Sequence, residues 1–305
     1  MTRNTGIPLN VRFVEELHVD EAAATIRASE ISSRSALTPE AEVVWLLQAI
    51  RSMDLTTLSE DDTDDRVREL CERAKRPVDK ALAETLTIDA ESVTVGAVCV
   101  YHQFARTAAA ALHGSGIPVA AVAGGFPVGL ADHGRRLEEI HRGVVDGAGE
   151  IDAVITRAHV LEERWDALYD EIRSFREACG DSRLKVILAT GDLGSFTNVA
   201  RASHVAMMAG ADFIKTSTGR EAVNATLPVG VVMATAIRAY WEETGHAVGL
   251  KPAGGIRTAS SAIDWLLLVG RELGDDWRTP SRFRIGASGL LADILQHLER
   301  GVSDE

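Results

Sequence analysis

Lysine is scarce in this chain of 305 residues, and two of its five lysines stand where general surface use does not explain them. Lys215 lies inside the run ADFIKTSTG and Lys251 inside VGLKPAGG, each near the C-terminal end of a predicted strand and followed by small residues. Two ammonium groups in a partly dry cavity do not both stay charged cheaply. Desolvation and a like-charged neighbour each lower a lysine pKa, and a drop of about 3 units costs roughly 4 kcal/mol. The product is a neutral amine at working pH, the species that attacks an aldehyde carbonyl. Phosphate binding or pairing with carboxylates accounts for the same spacing, so the spacing alone leaves both readings open. Lys75 and Lys80 fall in the charged stretch CERAKRPVDK, and Lys185 is expected to open a strand where it reaches solvent.

Asp152 interrupts the apolar run EIDAVIT, and an acidic side chain in such a strand needs a partner. It serves either as a proton acceptor working through Lys251 or a bound water, or as a structural ion pair that holds Lys251. Asp54, in SMDLTTL, is a second candidate, although Thr56 and Thr57 after it also suit a turn or helix cap. Cys99, between valines in AVCVYHQF, reads either as a pocket-lining thiol or as a small core side chain. Glycines crowd two further strand ends, KPAGGIRT and RIGASGLL, where backbone N–H groups and a following helix N-terminus suit a phosphate. That assigns Gly254, Gly255, Gly286 and Ser288 to phosphate binding, with Gly219 and Arg220 as additions.

These residues need a frame that gathers strand ends at one mouth. Short runs rich in Val and Ile alternate with longer amphipathic stretches from about residue 50 onward. Strands are predicted at 50–55, 93–101, 119–124, 151–156, 184–190, 212–218, 248–252 and 283–287. Helices are predicted at 64–75, 137–146, 163–178, 197–209, 230–244, 260–273 and 290–300. Eight parallel strands in this rhythm fit a (β/α)8 TIM barrel, whose C-terminal mouth carries the active site, better than an open doubly wound sheet. No G-x-G-x-x-G follows the first strand, which weakens the dinucleotide-binding form of that alternative. In the barrel, Asp152 on the fourth strand faces Lys215 on the sixth, with Lys251 beside them. Residues 1–48 form an N-terminal helical extension to a barrel of residues 49–300. Its helices are expected at 20–28 and 39–49, the second capped by Thr38 with Pro39 at N1, and they are expected to cover the N-terminal end of the barrel. A flexible tail before Pro8 suits the sequence equally.

Composition narrows the function classes. The formal charge of −13 opposes a broad nucleic-acid face, while a small anionic substrate held by local backbone donors stays open. Three scattered cysteines make neither a disulfide framework nor a zinc site, which suits a reducing, cytoplasmic compartment. Residues 1–20 lack the features of a signal peptide, and no apolar run reaches 18 residues, so no membrane partner is expected. The histidines show no metal-binding spacing; neither metal nor cofactor is expected.

The motifs MDLTTL, VCVY, GEIDAVI, LKVILATGDL, ADFIKTSTG, VGLKPAGGIRT and FRIGASGLL occur in this order across residues 51–292. In that order they resemble the DeoC family of class I aldolases, the deoxyribose-phosphate aldolases. AGGFPVG through WDALYDEIRSFREACG is similar to the longer, animal-like branch. The resemblance implies a Schiff base on Lys215, a pKa lowered by Lys251, and proton relay through Asp152 and Lys251. It places Asp54, Cys99 and Thr218 in the substrate pocket and the phosphate on the glycine-rich ends. The implied reaction is reversible cleavage of 2-deoxy-D-ribose 5-phosphate to D-glyceraldehyde 3-phosphate and acetaldehyde, with a homo-oligomer left open. Another Schiff-base barrel aldolase, such as a transaldolase-like enzyme, and a non-catalytic sugar-phosphate-binding barrel are the alternatives. Three positions depart from the family pattern: His102 where proline is frequent, Gly289 where a second hydroxyl is common, and Arg220 where lysine is usual. The first is expected to alter the rim of the acceptor pocket, and the others bear on phosphate binding.

Overall fold

The computed structural model describes residues 3–32 and 37–303. Eight short strands carry the fold: β1 (Met53–Thr56), β2 (Ala97–Tyr101), β3 (Val119–Ala123), β4 (Glu150–Val154), β5 (Arg183–Ile187), β6 (Phe213–Lys215), β7 (Gly249–Lys251) and β8 (Ile285–Ala287). All pair in parallel in the order β7-β6-β5-β4-β3-β2-β1-β8. The ring closes between β7 and β8 through bridges Leu250–Phe283 and Ala253–Gly286. There the Gly286 amide donates to the Pro252 carbonyl at 2.9 Å. This is the expected (β/α)8 barrel.

Alternation along the strands sorts the side chains. Leu55, Val98, Ile151, Leu184, Val186, Ile214 and Leu250 face outward into one large apolar core shared with the helices. The inward set is different: on β2 and β3 it is small and apolar, with Ala97, Cys99, Ala120 and Val122 forming their own cluster. On β1 and β4 to β7 it includes Asp54, Glu150, Asp152, Lys185, Lys215 and Lys251, and Arg284 joins them from just ahead of β8.

The helices are α1 (Val11–Glu16), α2 (Glu21–Ser32), α3 (Pro39–Arg51), α4 (Asp64–Lys75), α5 (Lys80–Thr85), α6 (Ala105–Ala111), α7 (His133–Val145), α8 (Arg157–Leu161), α9 (Trp165–Ala178), α10 (Phe196–Met208), α11 (Leu227–Thr244), α12 (Ala259–Leu273) and α13 (Leu290–Ser303). Thr38 caps α3 by accepting from the Ala41 amide, with Pro39 in the first turn. Strand boundaries move by up to four residues, and β5 and β6 end at Ile187 and Lys215, three residues short of the prediction. Ile50 extends the buried face of α3, so β1 starts at Met53, and β2 pairs only from Ala97. Helices α1, α5, α6 and α8 span only five to seven residues, too few for the amphipathic period to register.

The helices of the N-terminal segment pack on the outer helices of the barrel, while residues 3–7 reach the turns that lead into β5 and β6 at its N-terminal end. Helix α1 packs on α9 and α10, α2 on α11 and α12, and α3 on α12 and α13. The described residues before Pro8, from Arg3 on, are anchored rather than a free tail. Asn4 donates from Nδ2 to the carbonyls of Met207 (2.8 Å) and Ala211 (2.9 Å), and its own amide donates to Asp212.

Candidate active site

Ile151 and Ala153 face the helices, so Glu150 and Asp152 enter the barrel from β4. By the same rule Lys185 enters from β5, Lys215 from β6 and Lys251 from β7. The register places Asp152 beside Lys185, Ile187 beside Lys215, and Lys215 beside Lys251. Asp152 Oδ2 accepts from Lys215 Nζ at 2.7 Å and from Lys251 Nζ at 2.6 Å, so one carboxylate oxygen joins both amines. Lys251 also donates to Asp54. Lys185 is not at the solvent edge, as expected from its place near the strand start, but fully buried. Its Nζ lies 2.6 Å from Glu150, 2.9 Å from Asp54 and 3.1 Å from Asp152. Arg284, just ahead of β8, donates to Asp54 at 2.6 Å and to both oxygens of Glu150 at 2.9 and 3.1 Å.

The two amines at the top of this column carry opposite charge tendencies. Burial pushes Lys215 below the ordinary lysine range, and the Lys251 ammonium pushes the same way against the pull of Asp152. Burial would also lower Lys251, but Asp152 and Asp54 more than reverse it and hold that ammonium well above the usual range. Burial raises a carboxyl pKa, yet the surrounding lysines hold Asp152 and Asp54 well below theirs, so both stay anionic. Burial pushes the Cys99 thiol up, leaving it protonated. The arrangement therefore presents Lys215, the amine held less firmly to its proton, beside the Lys251 ammonium and the Asp152 carboxylate.

Above the amines opens a cavity of about 1050 Å³ lined by Lys215, Lys251, Thr218, Gly219, Arg220, Gly254, Gly255, Gly286 and Ser288, with Thr56, Arg73 and Arg257. Asp54 and Cys99, expected in the pocket, are not among the lining residues. Asp54 is sealed beneath Lys251, and Cys99 packs in the small apolar cluster of β2 and β3. Asp152 too lies under the cavity floor, reached only through the two lysines. His102 sits in a short turn with its Cβ near Gly143 of α7 and is not among the residues that line the cavity.

The glycine-rich ends divide into two groups. The Glu221 carboxylate, buried after β6, accepts from the amides of Thr218 (3.0 Å), Gly219 (3.1 Å) and Arg220 (3.2 Å) and from the Thr218 hydroxyl (2.9 Å). Gly219, expected as a phosphate donor, thus has its amide turned onto Glu221, and the Gly286 amide is used in closing the sheet. The cavity is still faced by the Gly254–Gly255 turn and by Ser288 and Gly289 at the head of α13. Gly254 needs to be glycine: its φ is +82°, and a Cβ there would come 2.6 Å from Asn224 Oδ1. Arg220 donates to the Leu58 carbonyl at 2.9 Å, bracing the loop after β6 against the loop after β1.

Lys185, Glu150, Arg284, Glu221, Arg73 and Arg257 are absent from the sequence-based site. For Lys185 and Arg284 a signal exists, a charged residue between apolar neighbours in a predicted strand, the same one that marks Lys215. Among the described residues, no cluster of three or more His, Cys, Asp or Glu is placed to hold a metal ion, and no helix is long and apolar enough to cross a membrane.

Comparison with known proteins adds independent findings. Residues 48–290 match the profile described as DeoC/LacD family aldolase. The chain is 52% identical over 300 residues to the deoxyribose-phosphate aldolase of Mus musculus, spanning 98% of this chain and 94% of that one. It is 50% identical over 302 residues to that of Homo sapiens, spanning 98% and 95%. The deoxyribose phosphate aldolase structure from Aeropyrum pernix superposes with a TM-score of 0.61 at 21% identity, covering 89% of this chain and 97% of that one. At that identity the superposition speaks for the fold alone.

Proposed function

We infer, from the premise that the chain belongs to the DeoC/LacD family of aldolases, that its neutral buried amine, Lys215, is the Schiff-base nucleophile. The protein is a lyase that reversibly cleaves 2-deoxy-D-ribose 5-phosphate to D-glyceraldehyde 3-phosphate and acetaldehyde. The single observation that carries the residue assignment is the shared Asp152 oxygen, which sets a neutral amine against a fixed ammonium at the floor of an open cavity.

The Lys215 amine attacks C1 of the open-chain sugar to give a carbinolamine, which loses water to become an iminium. That step places a positive charge on the Lys215 nitrogen beside the Asp152 carboxylate, which is already anionic and in place. The C3 hydroxyl gives up its proton, the C2–C3 electron pair moves toward the iminium, and the bond breaks to leave an enamine and the phosphorylated aldehyde. Asp152 and Lys251 pass that proton to the enamine carbon, and water hydrolyses the new iminium to free acetaldehyde and the amine. The Gly254–Gly255 turn, Ser288 and the head of α13 hold the phosphate, with Arg220, Arg73 and Arg257 supplying positive charge at the mouth. Residues 1–48 are an extension around a catalytic barrel of residues 49–300. The three free, buried thiols support a reducing, cytoplasmic setting.

Acetaldehyde with borohydride tests the assignment. A two-carbon adduct is expected on Lys215 by peptide mapping, with loss of activity, and none is expected in Lys215→Met. An adduct on another lysine, or unmodified protein that is still inactivated, would refute it.

A further inference from the structure

The barrel interior holds more charge than the reaction uses. Arg284, Lys185, Lys251 and Lys215 meet only Asp54, Glu150 and Asp152, and all seven side chains are at most 3% exposed. Four cations therefore face three carboxylates. Arg284 contacts two of these carboxylates, Lys185 three and Lys251 two, whereas Lys215 contacts Asp152 alone. When one cation must give up its proton for the sealed column to balance, the singly paired amine at the cavity floor is the one that gives least in losing it. Arg284 and Glu150 touch no cavity residue of the reaction, yet they complete this count.

We propose that Glu150 and Arg284 are positioning residues which, by fixing the charge balance of the sealed barrel interior, keep the Lys215 amine uncharged and ready to react. The proposal rests on the reading of Lys215 as the Schiff-base lysine. The other groups facing Lys215 are the Lys251 ammonium from β7, the protonated Cys99 thiol from β2, the Ile187 side chain from β5 and the Phe126 ring, 5.9 Å from Nζ. At the far end Arg183 lies 3.8 Å from Glu150, but its side chain is 32% exposed and its charge is screened. A buried Arg–Glu pair is a costly way to fill a barrel floor that apolar side chains would fill as well. The column gives it a second use, because each partner tunes a charge that Lys215 senses through Lys185, Asp54 and Asp152.

The test is the pH dependence of acetaldehyde trapping by cyanoborohydride on the intact protein, a probe that carries no phosphate. Glu150→Gln removes a negative charge that reaches Lys215 through Lys185 and Asp152, and is expected to move the acid limb down by on the order of one pH unit. Arg284→Met removes a positive charge and is expected to move it up by a similar amount. The double variant restores the count and is expected to return to the parent limb, as is Arg284→Lys, which keeps the charge and loses the forked contact. A merely structural role predicts slower trapping with an unmoved limb. Singles that shift together or not at all, or a double variant displaced as far as a single, would overturn the proposal. If Arg284→Met does not fold, the near-isosteric Glu150→Gln decides alone. Peptide mapping separates the two failures: an adduct away from Lys215 sinks the nucleophile assignment, whereas an adduct on Lys215 with an unmoved limb sinks only the charge-balance role.

Discussion

Replacing Lys251 with methionine removes the ammonium that shares Asp152 Oδ2 with Lys215. The two amines lie 2.7 and 2.6 Å from that one oxygen, so their nitrogens are at most about 5 Å apart. At an effective dielectric of ~20 the repulsion is about 3 kcal/mol, or roughly 2 pKa units. In Lys251→Met the Lys215 ammonium escapes that repulsion and no longer shares Asp152 with Lys251, so its pKa rises. Only the neutral amine reacts, so the acid limb of adduct formation moves up by about 2 pH units and the rate at neutral pH falls by up to about 100-fold. Lys251→Arg keeps the charge and is expected to hold the limb while slowing the reaction through altered geometry. The assay is the rate of acetaldehyde trapping on Lys215 from pH 5 to 10, with folding checked by near-UV circular dichroism. Lys251 also stabilises the fold at neutral pH, because its pKa is raised in the folded state. That contribution is present below its unfolded value of 10.5 and lost as pH climbs through the folded value. A less stable Lys251→Met with an unshifted limb would refute the electrostatic argument while leaving the structural one intact.

Three other perturbations follow from the geometry. Gly254→Ala forces a Cβ onto a left-handed backbone against Asn224, and is expected to raise KM for the phosphorylated substrate at least tenfold while acetaldehyde trapping on Lys215 stays near the parent rate. Asn4→Ala breaks the anchor to Met207 and Ala211 and is expected to cost about 2 kcal/mol in urea unfolding with kcat unchanged, since nothing it touches lines the cavity. His204 on α10 meets the Phe13 ring edge-on at 5.0 Å, and burial pushes its pKa down from 6.5 to about 4. The unfolded chain then binds the extra proton first, so stability is intact above about 6.5, falls with pH, and stops falling near 4. The loss between pH 7 and 5 is about 2 kcal/mol, and His204→Leu should remove that part of the slope in unfolding curves taken at the two pH values.

The candidate site residues Lys215, Lys251 and Asp152 were legible because their types violate their surroundings. A lysine inside FIK or GLK, and an aspartate inside EIDAV, cannot be explained by strand propensity, so chemistry or pairing must account for them. The alternation of Val- and Ile-rich runs with amphipathic stretches likewise carries the eight-strand barrel, since both periods are local properties of the chain. What local order cannot carry is register and closure. Lys185 reads as a strand-end lysine until its pairing with Asp152 turns it inward, and Arg284 reads as a polar break in FRIGA until the β7–β8 seam brings it over Glu150 and Asp54. Gly219 reads as a phosphate donor until Glu221, two residues on, folds back over its amide. Asp54 and Cys99 lie on the inner face, but their depth below the cavity depends on where each short strand begins. The identities of the chemical groups thus belong to the sequence. Which amine is left with a single partner is decided only when strands distant in the chain are brought within ion-pair range, because Coulomb energy depends on distances through space rather than along the backbone.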